Sequence, residues 1–156
     1  EKINLVELVN QTIGEFSEKF EQKSLTPVIQ YTNNAMYIEA DSRRIWRVVE
    51  NLFNNIVKYA MEGTRVYIEM SDLSDGDGKR YVEFSLKNIS AQPLNINADE
   101  LTERFIRGDV SRSTEGSGLG LSIAKNLAAL MGGKFDLYLD GDLFRVTITF
   151  PRVKKV

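Results

Sequence analysis

Apolar residues recur along this chain with two different periods. Val6, Val9, Ile13, Phe16 and Phe20 follow the spacing of one helix face and predict a helix over 5–23. A denser helical stripe, Ile45, Val48, Val49, Leu52, Phe53, Ile56 and Val57, predicts a second helix over 42–60, with Asp41 as its N-cap and Gly63 closing the region. A third amphipathic stretch covers 119–131. Between the helices the period drops to two. Residues 27–32 and 36–40 read as short strands around the turn residues Asn33 and Asn34, and 64–72 and 80–87 as a strand pair about Asp75, Gly76, Asp77 and Gly78. Residues 134–139 and 143–150 read as a hairpin about Asp140, Gly141 and Asp142. A short helix is expected over 98–105, and the polar, aperiodic stretch 107–117 is expected to be a mobile loop. Helices interleaved with mostly hairpin-linked strands imply an α+β two-layer sandwich, a mixed β-sheet packed on three helices, in a single domain over 1–156.

Composition narrows the chemistry. Twenty Lys and Arg oppose twenty-two Asp and Glu, so no general affinity for nucleic acid or an anionic membrane is expected. No apolar run reaches the length of a membrane span. Cysteine is absent, which removes disulfides and thiolate chemistry. Histidine is absent too, which removes a Ser-His-Asp triad, a His base, a His metal ligand and any phosphohistidine on this chain. The chain begins at Glu1 rather than Met and is read as a piece of a longer protein.

Two motifs carry chemistry. The first lies on the second predicted helix, where Asn51, Asn55, Lys58 and Tyr59 fall on one stripe beside the apolar face. An Asn oxygen can ligate a hard cation such as Mg²⁺, and a Lys can meet a phosphate as a point charge. Taken alone, the stripe is better explained by capping or bridging asparagines and a solvated lysine. The second motif, Glu115-Gly-Ser-Gly-Leu-Gly-Leu121, stands directly before the third helix. Glycines let a backbone approach a ligand closely, and the free N–H groups of a helix start face an anion. Its spacing fits neither a dinucleotide fingerprint nor a P-loop.

Together, in this order and about sixty residues apart, the motifs resemble the N box and second glycine box of the sensor histidine kinase catalytic domain, a branch of the GHKL (Bergerat-fold) superfamily. Leu101 to Asp109 looks like that family's F box, and Ser122-Ile-Ala-Lys125 continues the glycine box as the family does. The resemblance implies a Bergerat-type fold and two cofactors, ATP and Mg²⁺. Asn55 matches the family's metal-binding Asn and, with Lys58, the catalytic residues; Asn51, Lys58 and Tyr59 match residues lining the nucleotide. Arg107 and Arg112 would reach the phosphates, Gly116, Gly118, Leu119 and Gly120 would wrap the triphosphate, and Phe105 would anchor the lid. The partners implied are a His-containing dimerisation domain of the same protein and a response regulator. The parent would be a homodimer in the cell membrane, with this part cytoplasmic and touching neither membrane nor nucleic acid.

The chain departs from the family at its first glycine box, D-x-G-x-G. Asn88-Ile-Ser-Ala-Gln-Pro93 stands there without a glycine, and Asn88 occupies the apparent place of the Asp that reads the adenine amino group. A neutral bond in place of a charge-assisted one costs on the order of 1 kcal/mol, about fivefold in affinity. The leading reading is a kinase domain that passes the γ-phosphoryl group of Mg-ATP to a histidine elsewhere. A degenerate nucleotide-binding or signalling module is the alternative. An ATPase clamp is disfavoured, because hydrolytic members carry a Glu where this chain has Asn51 and because the layout is a short single domain. Weaker patterns are set aside. The sequons at Asn10 and Asn88 are common by chance, Asp75 and Asp77 lack the further ligands of a calcium loop, and Trp46 is expected in the core.

Overall fold

The computed structural model describes residues 1–94 and 117–154. The helix expected over 98–105 and nearly all of the expected loop at 107–117 lie outside these residues. Among the described residues, seven strands and three helices follow in the order β1 Lys2–Asn4, α1 Leu5–Gln22, β2 Thr26–Tyr31, β3 Tyr37–Glu39, α2 Ser42–Tyr59, β4 Arg65–Ser74, β5 Arg80–Ile89, α3 Ser117–Leu130, β6 Lys134–Asp140 and β7 Leu143–Val153. The strands form one mixed sheet ordered β1-β3-β7-β5-β4-β2, with β6 also paired to β7. β2 runs parallel to β4; the other pairs are antiparallel.

The period-two strands bury one face each. Val66, Ile68 and Met70 of β4, Val82, Phe84 and Leu86 of β5, and Phe144, Val146, Ile148 and Phe150 of β7 form the sheet's contribution to the core. The register sets them in rows, with Ile68 opposite Leu86 and Leu86 opposite Val146. The helices cover that face. Phe53 of α2 meets Phe16 and Phe20 of α1 at ring separations of 5.4 and 6.0 Å. From α3, Leu121, Ala124 and Ala128 are fully buried.

Both described helix starts are capped as their sequences require. Asn4 Oδ1 accepts the Val6 and Met36 N–H groups, tying α1 to the chain ahead of β3. Asp41 Oδ1 accepts from Arg43 and Arg44, each at 3.0 Å, and the bond from Arg44 is foremost in holding its carboxyl below the usual carboxylate range. At the far end of α2, the Lys23 ammonium donates to the Val57 carbonyl at 2.7 Å, satisfying a carbonyl that the helix leaves open.

One expectation needs correction, and two features of the sheet add to the sequence reading. Trp46 is exposed rather than in the core (37%), because it follows Ile45 by one residue and so points about 100° from the buried stripe. β2 and β3, adjacent in sequence, do not pair: β2 lies beside β4 and β3 beside β7 and β1. β1 is an additional strand, three residues long and without a period of its own.

α3 closes on Gly132, at φ +78°, whose N–H donates to Ala129 O, while the Gly133 N–H donates to Ala128 O. A Cβ on Gly133 would stand 2.6 Å from the Phe150 ring and 3.1 Å from Ala128 O. Gly133→Ala is therefore expected to destabilise the fold by about 1–3 kcal/mol. Urea denaturation checks this; an unchanged midpoint would show that the ring moves aside without cost.

Candidate nucleotide site

The polar stripe on α2 descends into the core and emerges from it. Asn51 is half-buried, Asn55 is 5% exposed, Lys58 is exposed and Tyr59 half-buried. The amphipathic helix must bury Asn55 because Leu52 and Ile56, on either side of it, are core residues. Two atoms of this stripe are buried without a hydrogen-bond partner among the described residues: Asn51 Nδ2, a donor, and Asn55 Oδ1, an acceptor. A buried polar atom left unpaired costs about 1–3 kcal/mol. Two such atoms one helical turn apart mark a place built for something other than the apolar core. The Asn55 oxygen fits a hard cation and the Asn51 amide fits an anionic oxygen.

The start of α3 completes one side. Gly118, Leu119 and Gly120 lie in its first turn. Gly120 is buried directly against α2, where an added Cβ would sit 3.8 Å from Asn51 Cβ and 3.9 Å from Asn51 O. The N box and the glycine box therefore meet at Asn51 and Gly120. These are ordinary contact distances, so helix packing alone does not require glycine at 120. Gly116, Arg107 and Arg112 lie outside the described residues, as does Phe105.

β5 supplies the other side. Its buried row runs Val82, Phe84, Leu86 and then Asn88, opposite Phe144 of β7. The alternation that places three apolar residues in the core places Asn88 in the next core position, 3% exposed. Where the family has its first glycine box, this chain is stitched to the end of α2. Met61 N–H donates to Ile89 O at 2.8 Å and Ala91 N–H to Tyr59 O at 2.9 Å. Ser90, 5% exposed, bridges Ala60, and its Oγ accepts from the Gln92 N–H. Sequence reasoning missed Ser90 and the buried Ser122 of α3 as polar members of this layer. Ser90 was legible as the next residue of the Asn88 row; Ser122 had no signal of its own.

A wide concavity of about 900 Å³ lies on the other face of the sheet, lined among others by Glu69, Glu83, Ser85, Asp136 and Arg145. Two of its charged residues are engaged locally: Glu69 pairs with Lys87 at 3.2 Å, and Arg145 lies 4.6 Å from the Tyr138 ring centroid. Among the described residues no unpaired buried atom lies in its lining, so the α2–β5–α3 layer is the better candidate despite the size of the trough.

Three helices on one face of a mixed sheet, with polar groups converging between the middle helix and the start of the third, define a Bergerat-like α/β sandwich. The family model for histidine kinase-, DNA gyrase B- and HSP90-like ATPases matches residues 40–154, and the chain belongs to that family. Among curated relatives it is 27% identical to the sensor histidine kinase WalK of Bacillus subtilis over 97% of this chain and 24% of WalK. It is 37% identical to the sensor histidine kinase HprS of Escherichia coli over 71% of this chain and 24% of HprS. The chain thus spans about a quarter of the length of these relatives. Among solved structures, the catalytic domain of histidine kinase ThkA superposes with a TM-score of 0.80 at 25% identity, over 97% of this chain and 95% of that one. Within that family, its relatives and structural neighbours are sensor histidine kinases and their catalytic domains.

Proposed function

We propose that this domain binds Mg-ATP between α2, β5 and α3 and donates the γ-phosphoryl group to a histidine on a separate dimerisation domain of the same protein. The observation that carries the reading is the pair of unpartnered buried atoms, Asn55 Oδ1 and Asn51 Nδ2, one helical turn apart, with Asn51 packed beside Gly120 in the first turn of α3. Mg²⁺, when bound, neutralises phosphate charge. Asn55 would hold the cation through its amide oxygen, and Asn51 would donate to a phosphate oxygen. Lys58, on the exposed end of the stripe, would add a positive charge, and Tyr59 would line the nucleotide. Gly116, Gly118, Leu119 and Gly120 would wrap the triphosphate, and Arg107 and Arg112 would reach it. Asn88 would meet the base.

Asn51 also bears on the fate of the phosphoryl group. It has no carboxylate to activate water, and Glu50, half-buried one position earlier, points about 100° away around the helix. Transfer to an external acceptor is favoured over hydrolysis. In the parent protein this domain would work with a response regulator, as a homodimer at the cell membrane. A ThkA structure at 24% identity was solved in complex with the response regulator protein TrrA, which supports that partner class.

Gly120→Ala tests the site. Alanine favours helix and meets Asn51 at ordinary distances, so stability is expected to hold or rise by up to about 1 kcal/mol. The methyl group would cover Asn51 from the α3 side, so ATP affinity is expected to fall at least about tenfold, a little over 1 kcal/mol. Thermal unfolding and ATP titration read the two effects; unchanged affinity would remove this contact from the site.

A further inference from the structure

The buried polar side chains facing the helix layer near the candidate site are Asn55, Asn88, Ser90 and Ser122. None carries a charge. Each presents both a donor and an acceptor, and among the described residues no carboxylate is buried. Asn88 is the member of this set in the β5 core row, and it is the one that the proposed function sets against the base. We infer that Asn88 makes the base pocket tolerant of either hydrogen-bond polarity at the purine 6-position, so that the domain accepts 6-oxopurine nucleoside triphosphates as well as ATP. This rests on the nucleotide-binding reading above.

The chemistry is a matter of matching edges. Adenine offers an amino donor at position 6 and an acceptor at N1. Hypoxanthine offers the reverse, an oxygen acceptor at position 6 and an N–H donor at N1. The amide of Asn88 can meet adenine with Oδ1 toward the amino group and Nδ2 toward N1. Half a turn about χ2 exchanges the two atoms and meets hypoxanthine equally well. The flipped amide has nearly the same shape, so burial does not resist the exchange. A carboxylate at this position has acceptors only, and it would leave a 6-oxo group facing an anion. Sites with fixed polarity reject the mismatched analogue strongly because a buried group goes unpaired; an amide that can turn leaves nothing unpaired.

Inosine triphosphate is the clean probe, because it reverses the edge without adding the 2-amino group of guanine. Calorimetric titrations of the chain with Mg-ATP and Mg-ITP are expected to give affinities within about tenfold of each other. Asn88→Asp is expected to tighten ATP modestly and weaken ITP, widening the ratio by at least about tenfold. Asn88→Ala should weaken both alike and leave the ratio near its wild-type value, which keeps the test open if the buried Asp compromises folding. ITP bound more than about a hundredfold more weakly than ATP by the wild type would overturn the inference while leaving the ATP reading intact, as would a ratio indifferent to Asn88→Asp in a folded variant. Failure of both nucleotides to bind would overturn the inference and the proposed function together.

Discussion

Asn55→Ala is expected to abolish the Mg²⁺-dependent part of ATP binding while leaving the domain folded and at least as stable. The two halves have one cause. Asn55 Oδ1 is buried without a partner among the described residues, so the nucleotide-free protein bears its desolvation. Removing it relieves a cost of about 1–3 kcal/mol and adds the better helix former at an interior position of α2. Part of that gain is returned through the small cavity left behind. The net expectation is a melting temperature unchanged or raised by about 2–4 °C, the shift of roughly 1 kcal/mol in a domain of this size. A residue kept at the expense of stability is the pattern expected of a binding group. Differential scanning calorimetry and nucleotide titration with and without Mg²⁺ read the two effects. A clear loss of stability with the Mg²⁺ dependence intact would make Asn55 a structural residue.

The chain alone, given Mg-ATP, is expected to acquire no phosphohistidine and to hydrolyse ATP only slowly. The first part follows from a sequence with no histidine. The second follows from Asn51, whose unpartnered atom is an amide nitrogen that cannot take a proton from water. Fusion to the parent's dimerisation helices should restore transfer, because linkage turns a bimolecular encounter into an intramolecular one at an effective concentration that reaches the millimolar range, about a thousandfold above micromolar mixtures. Radiolabel from γ-labelled ATP should appear on the helices of the fused protein and not on this chain. Fast phosphate release by the chain alone would favour an ATPase. ATP binding without transfer in the fused protein would favour a signalling module.

Much of this architecture was legible because the period of the apolar residues is itself a statement about geometry. The dense stripe from Ile45 to Val57 could only be a helix with one buried face, and it is. The alternation from Val82 to Leu86 fixes which side of the sheet Asn88 faces, and a polar residue in that row is visible without any structure. What local pattern could not supply was pairing between distant segments. β2 runs parallel to β4 with β3 and α2 between them in the chain, and nothing in either strand encodes that crossover. The meeting of Gly120 with Asn51 depends on how α3 lies against α2, a tertiary fact that motif order alone implied only through the family resemblance. Trp46 shows the opposite error: its hydrophobicity argued for the core, while its angular position on α2 argued against it, and the position prevailed.

The most direct measurement is a calorimetric titration of this chain with ATP, with and without Mg²⁺. The account predicts saturable binding of one nucleotide per chain that Mg²⁺ strengthens, as expected if the unpartnered oxygen of Asn55 receives the cation. No binding at millimolar nucleotide, or binding that is the same in the absence of Mg²⁺, would contradict it.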